Sequence, residues 1–494
     1  MTQNRRVVPP KAGAMIEALR GLGYSTPTAL ADIIDNSISA GADEVRVSFH
    51  WEGSGSWISV LDNGCGMNDG TLENAMRLGD RHPLEKRETS DLGRFGLGLK
   101  TASFSQCRVL TVASRMAVGH VSCLRWDLDE IEASPDDLWL LFEGPRSGSE
   151  QHLAALSRER AGTLVLWEGM DRIVTIGYSA DAFLDLADQV RRHLGMVFHR
   201  LLEGVSPKFR LFVNDRPVRS WDPFLTGHPS KPWQSPFATT IGPAGTIEVQ
   251  CHVLPHRDML TEAEFDAAGG PDGWTSQQGL YIYRNHRLLI AGGWLGLGQG
   301  RAWNREESYR LARIRIDIPN TADAEWKIDI RKSTARIPAT LRPWLTRLAE
   351  DTRERARRVF AYRGTPSPSA SGAPLDQAWK VHQLKGGIRY GIDRRSPTVA
   401  AVLDAAGHIQ PLIMAMLRVL EETVPVQRIW LDTAENKDTP RTGFAGEPSE
   451  NVTSVLRVLY DDMVSRQELQ PALAKTRLKS TEPFNRYPHL VDAL

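Results

Sequence analysis

The segment DIIDN sets Asp32 and Asn36 four residues apart, on one face if the segment is helical. A carboxylate there can take a proton from water. An amide oxygen one turn further on can ligate magnesium, a cation that takes oxygen donors. The segment DNGCGM holds a second carboxylate, Asp62, ahead of Gly64, Gly66 and Met67. Asp62 can accept a hydrogen bond from the amino group of an adenine. The glycines let backbone approach a flat ring, and Met67 offers an adaptable apolar wall. Each piece also has an ordinary reading: polar residues are common on exposed helix faces, and Asn-Gly is the commonest hairpin turn signal.

A third piece, GRFGLGLKT, brings Gly93, Gly96 and Gly98 ahead of Lys100 and Thr101. It is not a Walker loop, because Leu99 separates the last glycine from the lysine. It is not the dinucleotide fingerprint either, since the spacing is GxxGxG. Backbone amides at the start of the helix suggested by LKTASF can hold phosphates, and Lys100 adds a charge. A flexible, closely packing loop would use the same glycines. A fourth piece, Gly162-Thr163 at the head of a strand, offers a hydroxyl to an adenine edge.

These residues need a helix, a sheet and a loop to hold them. TPTALADIIDNSISAG reads as a helix with Thr26 as its cap, Pro27 in its first turn and Gly41 at its stop. DEVRVSFHW and SWISVLDNG alternate as paired strands, and RVLTVASR and GTLVLWEG are further strands. The polar stretch between Gly64 and Gly93 suggests a short helix and then a mobile segment. After residue 180 the pattern predicts a long amphipathic helix, then strands in KFRLFVND, TIEVQCHVL and GLYIYRNHRLLI. RLARIRIDIPN places Ile314, Ile316 and Ile318 on one strand face and Arg313, Arg315 and Asp317 on the other. GTPSPSASGAP at 364–374 reads as a linker. Beyond it TVAAVLDAAGHIQPLIMAMLRVLEETV reads as one apolar helix, with another around 451–466.

The 494 residues are too many for one core. Sixty basic and sixty acidic residues balance, so net charge gives no support for a polyanion partner. Four scattered cysteines (Cys65, Cys107, Cys123, Cys251) form no CxxC pair, which argues against a zinc module or a disulfide framework and fits a reducing cytoplasm. No stretch approaches the roughly 18 apolar residues of a membrane span, and no membrane association is expected.

Taken in order, helix with Asn36, strand ending in DxGxGM, polar segment, GxxGxGxK and strand with Gly-Thr, residues 25–170 resemble the GHKL ATPases. That group holds gyrase, the ninety-kilodalton heat-shock chaperones, histidine kinases, MutL and the Microrchidia (MORC) proteins. The resemblance implies an α+β protein whose N-terminal Bergerat α/β sandwich, residues 1–175, binds ATP and Mg2+ under a lid at roughly 75–98. A transducer-type α+β domain (176–362), a linker (363–378) and a smaller mixed or helical domain (379–494) would follow. It implies Asp32 as the residue that polarises water and Asn36 as magnesium ligand. Nucleotide contacts are implied for Ala40, Asp62, Gly64, Gly66, Met67, Gly93, Gly96, Leu97, Gly98, Lys100, Thr101 and Thr163.

A histidine-kinase arrangement lacks its phosphoacceptor helix here, and the MutL endonuclease signature is not met. GRFGLGLKTAS, GLYIYRNHRLLI and EWKIDIRKS look most like the MORC-like branch with its bacterial members. In that branch a transducer lysine meets the γ-phosphate; Lys327 is the first choice and Lys332 the second. The implied machine is an ATP-dependent homodimer clamp acting with DNA or with a nuclease or helicase partner in bacterial genome defence. Arg342, Arg347, Arg353, Arg355, Arg357 and Arg358 offer a basic helix face, interleaved with Glu350, Asp351 and Glu354. A client-protein chaperone and a non-hydrolysing ATP-gated scaffold are the other readings. Two departures stand out: Asp32 replaces the usual glutamate and is one methylene shorter, and Ser39 replaces an aspartate.

Overall fold

The computed structural model describes residues 10–79, 98–134, 138–204, 209–242, 244–361, 378–384, 387–426, 429, 450–481 and 484–494. The chain divides into two compact units, Met1–Ala361 and Tyr362–Leu494.

Among the described residues the first unit contains two sheets. Strands β1 (Glu44–His50), β2 (Trp57–Asp62), β3 (Val109–Arg115), β4 (Val121–Asp127), β5 (Phe142–Glu143), β6 (Gly162–Glu168), β7 (Arg210–Val213) and β8 (Arg216–Pro217) form one sheet in the order β5-β4-β3-β6-β2-β1-β7-β8. Its helices are α1 (Ala12–Arg20), α2 (Thr26–Ser39), α3 (Asp69–Met76), α4 (Gly98–Phe104), α5 (Leu128–Ala133) and α6 (Ala180–Val197). The alternation of EVRVSFH buries Val45, Val47 and Phe49, which join Leu30, Ile33 and Ile34 of α2 and Phe183, Val190 and Leu194 of α6 in one core. β7 pairs parallel to β1, with Val45 opposite Leu211. KFRLFVND therefore belongs to the first sheet rather than the second, because α6 supplies the crossover a parallel neighbour requires. The first core accordingly reaches Val218, past the limit of 175 expected from the sequence.

The second sheet comprises β9 (Trp233–Gln234), β10 (Ala238–Gly242), β11 (Gly245–Val253), β12 (Gly279–Arg284), β13 (Arg287–Ala291) and β14 (Ala312–Asp317), in the order β10-β11-β14-β12-β13 with β9 on β11. The helix Arg342–Ala361 packs on it through Leu345, Ala349 and Ala356. Ile314, Ile316 and Ile318 are buried as the alternation predicts. Arg313 on the other face is buried too, donating to the carbonyls of Pro223 and Ala268 beneath the rings of Trp221 and Trp274. Between β12 and β13 the two turn residues, Asn285 and His286, both have positive φ (48° and 65°), the geometry of a tight primed turn. Arg287 follows it directly.

In the second unit a hairpin, Trp379–Leu384 with Gly387–Ile392, precedes helices Pro397–Ala405, Gln410–Glu422, Glu450–Ser465 and Pro471–Lys479. The apolar stretch expected as one helix is broken: Gly407 takes φ 49° and the two halves bend by 113°. Leu456, Met463, Ala474, Leu478, Phe484 and Val491 form a small core. No single helix among the described residues is long and apolar enough to cross a membrane.

Candidate functional site

α2 is capped by Ser25, one residue earlier than the sequence suggests. Ser25 Oγ accepts from Thr28 N–H and the Thr28 hydroxyl accepts in return from Ser25 N–H, while Pro27 occupies the first turn. Thr26 instead donates to Gln106, 2.7 Å away. This helix carries Asp32, Asp35, Asn36 and Ser37 past the end of β2.

At that end of β2 the buried Asp62 accepts from Gly64 N–H (2.9 Å), from Thr163 N–H (3.1 Å) and from the Ser37 hydroxyl (2.8 Å). Burial raises its carboxyl above the usual range, against the lowering effect of those three donors. Ser114 of β3 is bonded to Thr163 Oγ1 (2.9 Å), accepts from Met67 N–H (2.8 Å) and donates to the Gly162 carbonyl (3.2 Å). Two glycines are forced by close approach. A Cβ on Gly66 would lie 1.9 Å from the Arg115 carbonyl oxygen, and one on Gly162 would lie 2.0 Å from that of Asp62. Ala40 lies beside Gly64 and accepts from Cys65 N–H at 3.0 Å. Asp62, Gly64, Gly66, Met67, Ala40 and Thr163 thus come together, in a floor held entirely by the first sheet and α2.

α4 begins at Gly98, whose Cβ position lies 3.9 Å from Asp32 Oδ2. Thr101 is fully buried in the same short helix. Lys100 is buried, and its ammonium donates to the Ala75 carbonyl (2.8 Å) at the C-terminal end of α3, where a cation is favoured. Its head thus sits on α3 in this structure. Gly93, Gly96 and Leu97, and with them most of the expected lid, lie outside the described residues.

Next to α2 stands a cluster of which the sequence announces only Asp32 and Lys332. Lys332 Nζ donates to Asp32 Oδ1 at 2.9 Å and to Asp35 Oδ2 at 2.5 Å. Arg287 Nε donates to both oxygens of Asp35, at 3.2 and 3.1 Å, and its Nη2 lies 3.6 Å from Asp32 Oδ1. The Tyr24 hydroxyl donates to Asp32 Oδ2 at 2.9 Å. Asp32, Asp35 and Arg287 are each at most 4% exposed. Burial alone would push the Asp35 carboxyl up, but Arg287 and Lys332 beside it hold it below the usual carboxylate range. The same Arg287 charge, added to burial, pushes the His193 imidazole down to about 4.

The loop that presents Lys332 is tied at Asp329, whose carboxylate accepts from the N–H groups of Ser333 (2.7 Å) and Thr334 (2.8 Å) and from the Ser333 hydroxyl (2.7 Å). Arg331 reaches back to the Gly23 carbonyl at 3.1 Å. Lys327, the first choice from the sequence, is exposed, because its neighbours Trp326 and Ile328 are anchored in the second core. Lys332 is the lysine that meets Asp32. Asn36 is exposed one turn beyond Asp32, so the two differ in environment although they share a helix face. Asp35, Arg287, Tyr24, Ser37 and Ser114 escape sequence reasoning. For Asp35 a signal existed, since it stands inside DIIDN next to Asn36.

Asp62 fixed as an acceptor beside glycine-lined backbone suits an adenine amino group, and the start of α4 beside Asp32 suits the phosphate end of a nucleotide. Asn36, open and one turn from Asp32, has the amide oxygen a magnesium ion would need. No curated protein matches the chain. Residues 24–163 match the family model described as "Histidine kinase-, DNA gyrase B-, and HSP90-like ATPase", a span that opens on Tyr24 and closes on Thr163. This N-terminal part of the chain is thus similar to ATPase domains of the GHKL type.

Proposed function

We propose that the protein is an ATP-dependent conformational switch of the MORC-like branch, which binds and slowly hydrolyses ATP and closes as a homodimer clamp. The observation that carries this reading is Lys332, a cation from the loop after β14, resting on two carboxylates of α2. A γ-phosphate arriving at α4 competes with those carboxylates for the same ammonium. Transfer of Lys332 would report ATP, but not ADP, to the second sheet. Asp62 holds the adenine, and Asn36 would hold magnesium, which when bound neutralises phosphate charge. Asp32 Oδ1, released by Lys332, accepts a proton from water as the water oxygen bonds to the γ-phosphorus. The bond from that phosphorus to the bridging oxygen breaks, and ADP keeps the electron pair. The short Asp32 side chain reaches less far than a glutamate, so turnover is slow.

The clamp is proposed to act with DNA or with a nuclease or helicase partner in bacterial genome defence. Its basic helix face is narrower than the sequence suggests. Arg347, Arg355, Arg357 and Arg358 are exposed, but Arg353 is buried among Trp294, Trp303 and Tyr309 and Arg342 binds the Gly296 carbonyl. One observation favours a second reading, a chaperone-like machine: Leu412, Met416, Val419 and Leu420 are exposed along Gln410–Glu422. Mass measurement in solution with ADP and with a non-hydrolysable ATP analogue tests the switch. A dimer with the analogue alone is expected, and one unchanged species in all conditions would remove the gating model. Phosphate release stimulated by unfolded protein rather than by duplex DNA would favour the chaperone reading.

A further inference from the structure

We infer that Tyr24 is a positioning residue for Asp32, fixing which carboxylate oxygen faces the water; this rests on the ATPase reading above. The two oxygens of Asp32 are held by different parts of the molecule. Oδ2 is held by Tyr24, from the turn between α1 and α2, while Oδ1 is held by Lys332, from the loop after β14. If Lys332 leaves for a phosphate, Oδ1 loses its hydrogen-bond donor and keeps only Arg287 Nη2 at 3.6 Å, while Oδ2 stays bonded to Tyr24. The base then has one defined basic atom rather than a carboxylate free to rotate.

Tyr24 is built for that task. It is 8% exposed, its hydroxyl also lies 3.4 Å from the Ile330 carbonyl, and the Thr101 side chain bonds to it. It therefore touches α2, α4 and the Lys332 loop at once. Burial and the Asp32 charge both raise its phenol, so it stays protonated and remains a donor. Gly98 backs the same oxygen, with its Cβ position 3.9 Å from Asp32 Oδ2. A shorter acid has a smaller arc over which it can meet water, so loss of orientation costs more here than it would for a glutamate.

The test is steady-state phosphate release, with binding of a fluorescent ATP analogue, for the full-length protein, Tyr24→Phe, Asp32→Asn and the double variant. Tyr24→Phe is expected to lower turnover about tenfold, the loss of one hydrogen bond to a charged group, with analogue affinity unchanged. The double variant is expected to be no slower than Asp32→Asn alone, because Tyr24 acts through Asp32. Unchanged turnover in Tyr24→Phe, or losses that multiply in the double variant, would overturn the role. Melting temperatures are followed alongside. Tyr24→Gln, which keeps an N–H donor without the ring, is the second variant: turnover above that of Tyr24→Phe supports the hydrogen bond, and turnover at or below it counts against. No phosphate release from the unaltered protein would instead bring down the ATPase reading, and this role with it.

Discussion

The two ends of the proposed nucleotide site are built on opposite principles. The end proposed for adenine is self-contained: Asp62, Gly64, Ser37, Ser114 and Thr163 come from α2 and from or just beyond three neighbouring strands and satisfy one another. The end proposed for phosphate is assembled from Tyr24, Asp32, Asp35, Arg287 and Lys332, with partners up to 300 positions apart in the chain. The first arrangement suits a surface that must be ready before the ligand arrives. The second suits a junction that has to change partners, because its two carboxylates and two cations can be re-paired by one added phosphate. Arg287 divides the labour within it. By occupying Asp35 through both oxygens, it leaves Lys332 shared rather than captured.

Breaking the junction is expected to cost the fold, whereas altering the floor is expected to cost only the ligand. Arg287→Gln leaves Asp35 buried with Lys332 as its remaining strong partner. Loss of about 3–5 kcal/mol is expected, the scale for removing one member of a buried ion pair, read as an earlier unfolding midpoint of the first unit in denaturant. Joint replacement of Arg287 and Asp35 by leucine is expected to recover part of that loss. A midpoint unchanged in Arg287→Gln would show that the pair does not hold the sheets together.

The smaller effect is at Asp62. Its carboxyl is raised by burial, so the charged form is disfavoured in the folded state, and asparagine can keep the oxygen that Gly64 and Thr163 use. Asp62→Asn is therefore expected to melt no earlier than the parent yet to bind ATP about tenfold more weakly, the cost of a lost charge-assisted acceptor. Titration calorimetry with ATP checks the second half, and equal affinity would mean that Asp62 does not read the adenine.

The same contrast explains what could be read from the residues in order. DxGxGM was legible because turn, close approach and acceptor all lie within six positions, and the strands that flank it alternate cleanly. Ser114 was not, because a serine in a strand becomes informative only when register sets it opposite Thr163. The capped α2 and the paired strands followed from local chemistry, but β7 did not, since nothing in RLFV says whether it joins β1 or a later sheet. Lys327 and Lys332 lie five residues apart and look alike in a row of letters. What separates them is that Trp326 and Ile328 are buried on either side of the first, turning it outward, while Asp329 ties the turn that delivers the second. Tyr24 and Arg287 act across the fold, and no local pattern marks them.

The claim on which the account turns is that the loop after β14 completes the site through Lys332. Phosphate release by Lys332→Ala, set beside Lys327→Ala and the unaltered protein, tests it most directly. Turnover is expected to fall at least about tenfold in Lys332→Ala, the scale for a charge that stabilises the γ-phosphate, and to stay unchanged in Lys327→Ala. Full turnover in Lys332→Ala, or a loss confined to Lys327→Ala, would contradict it.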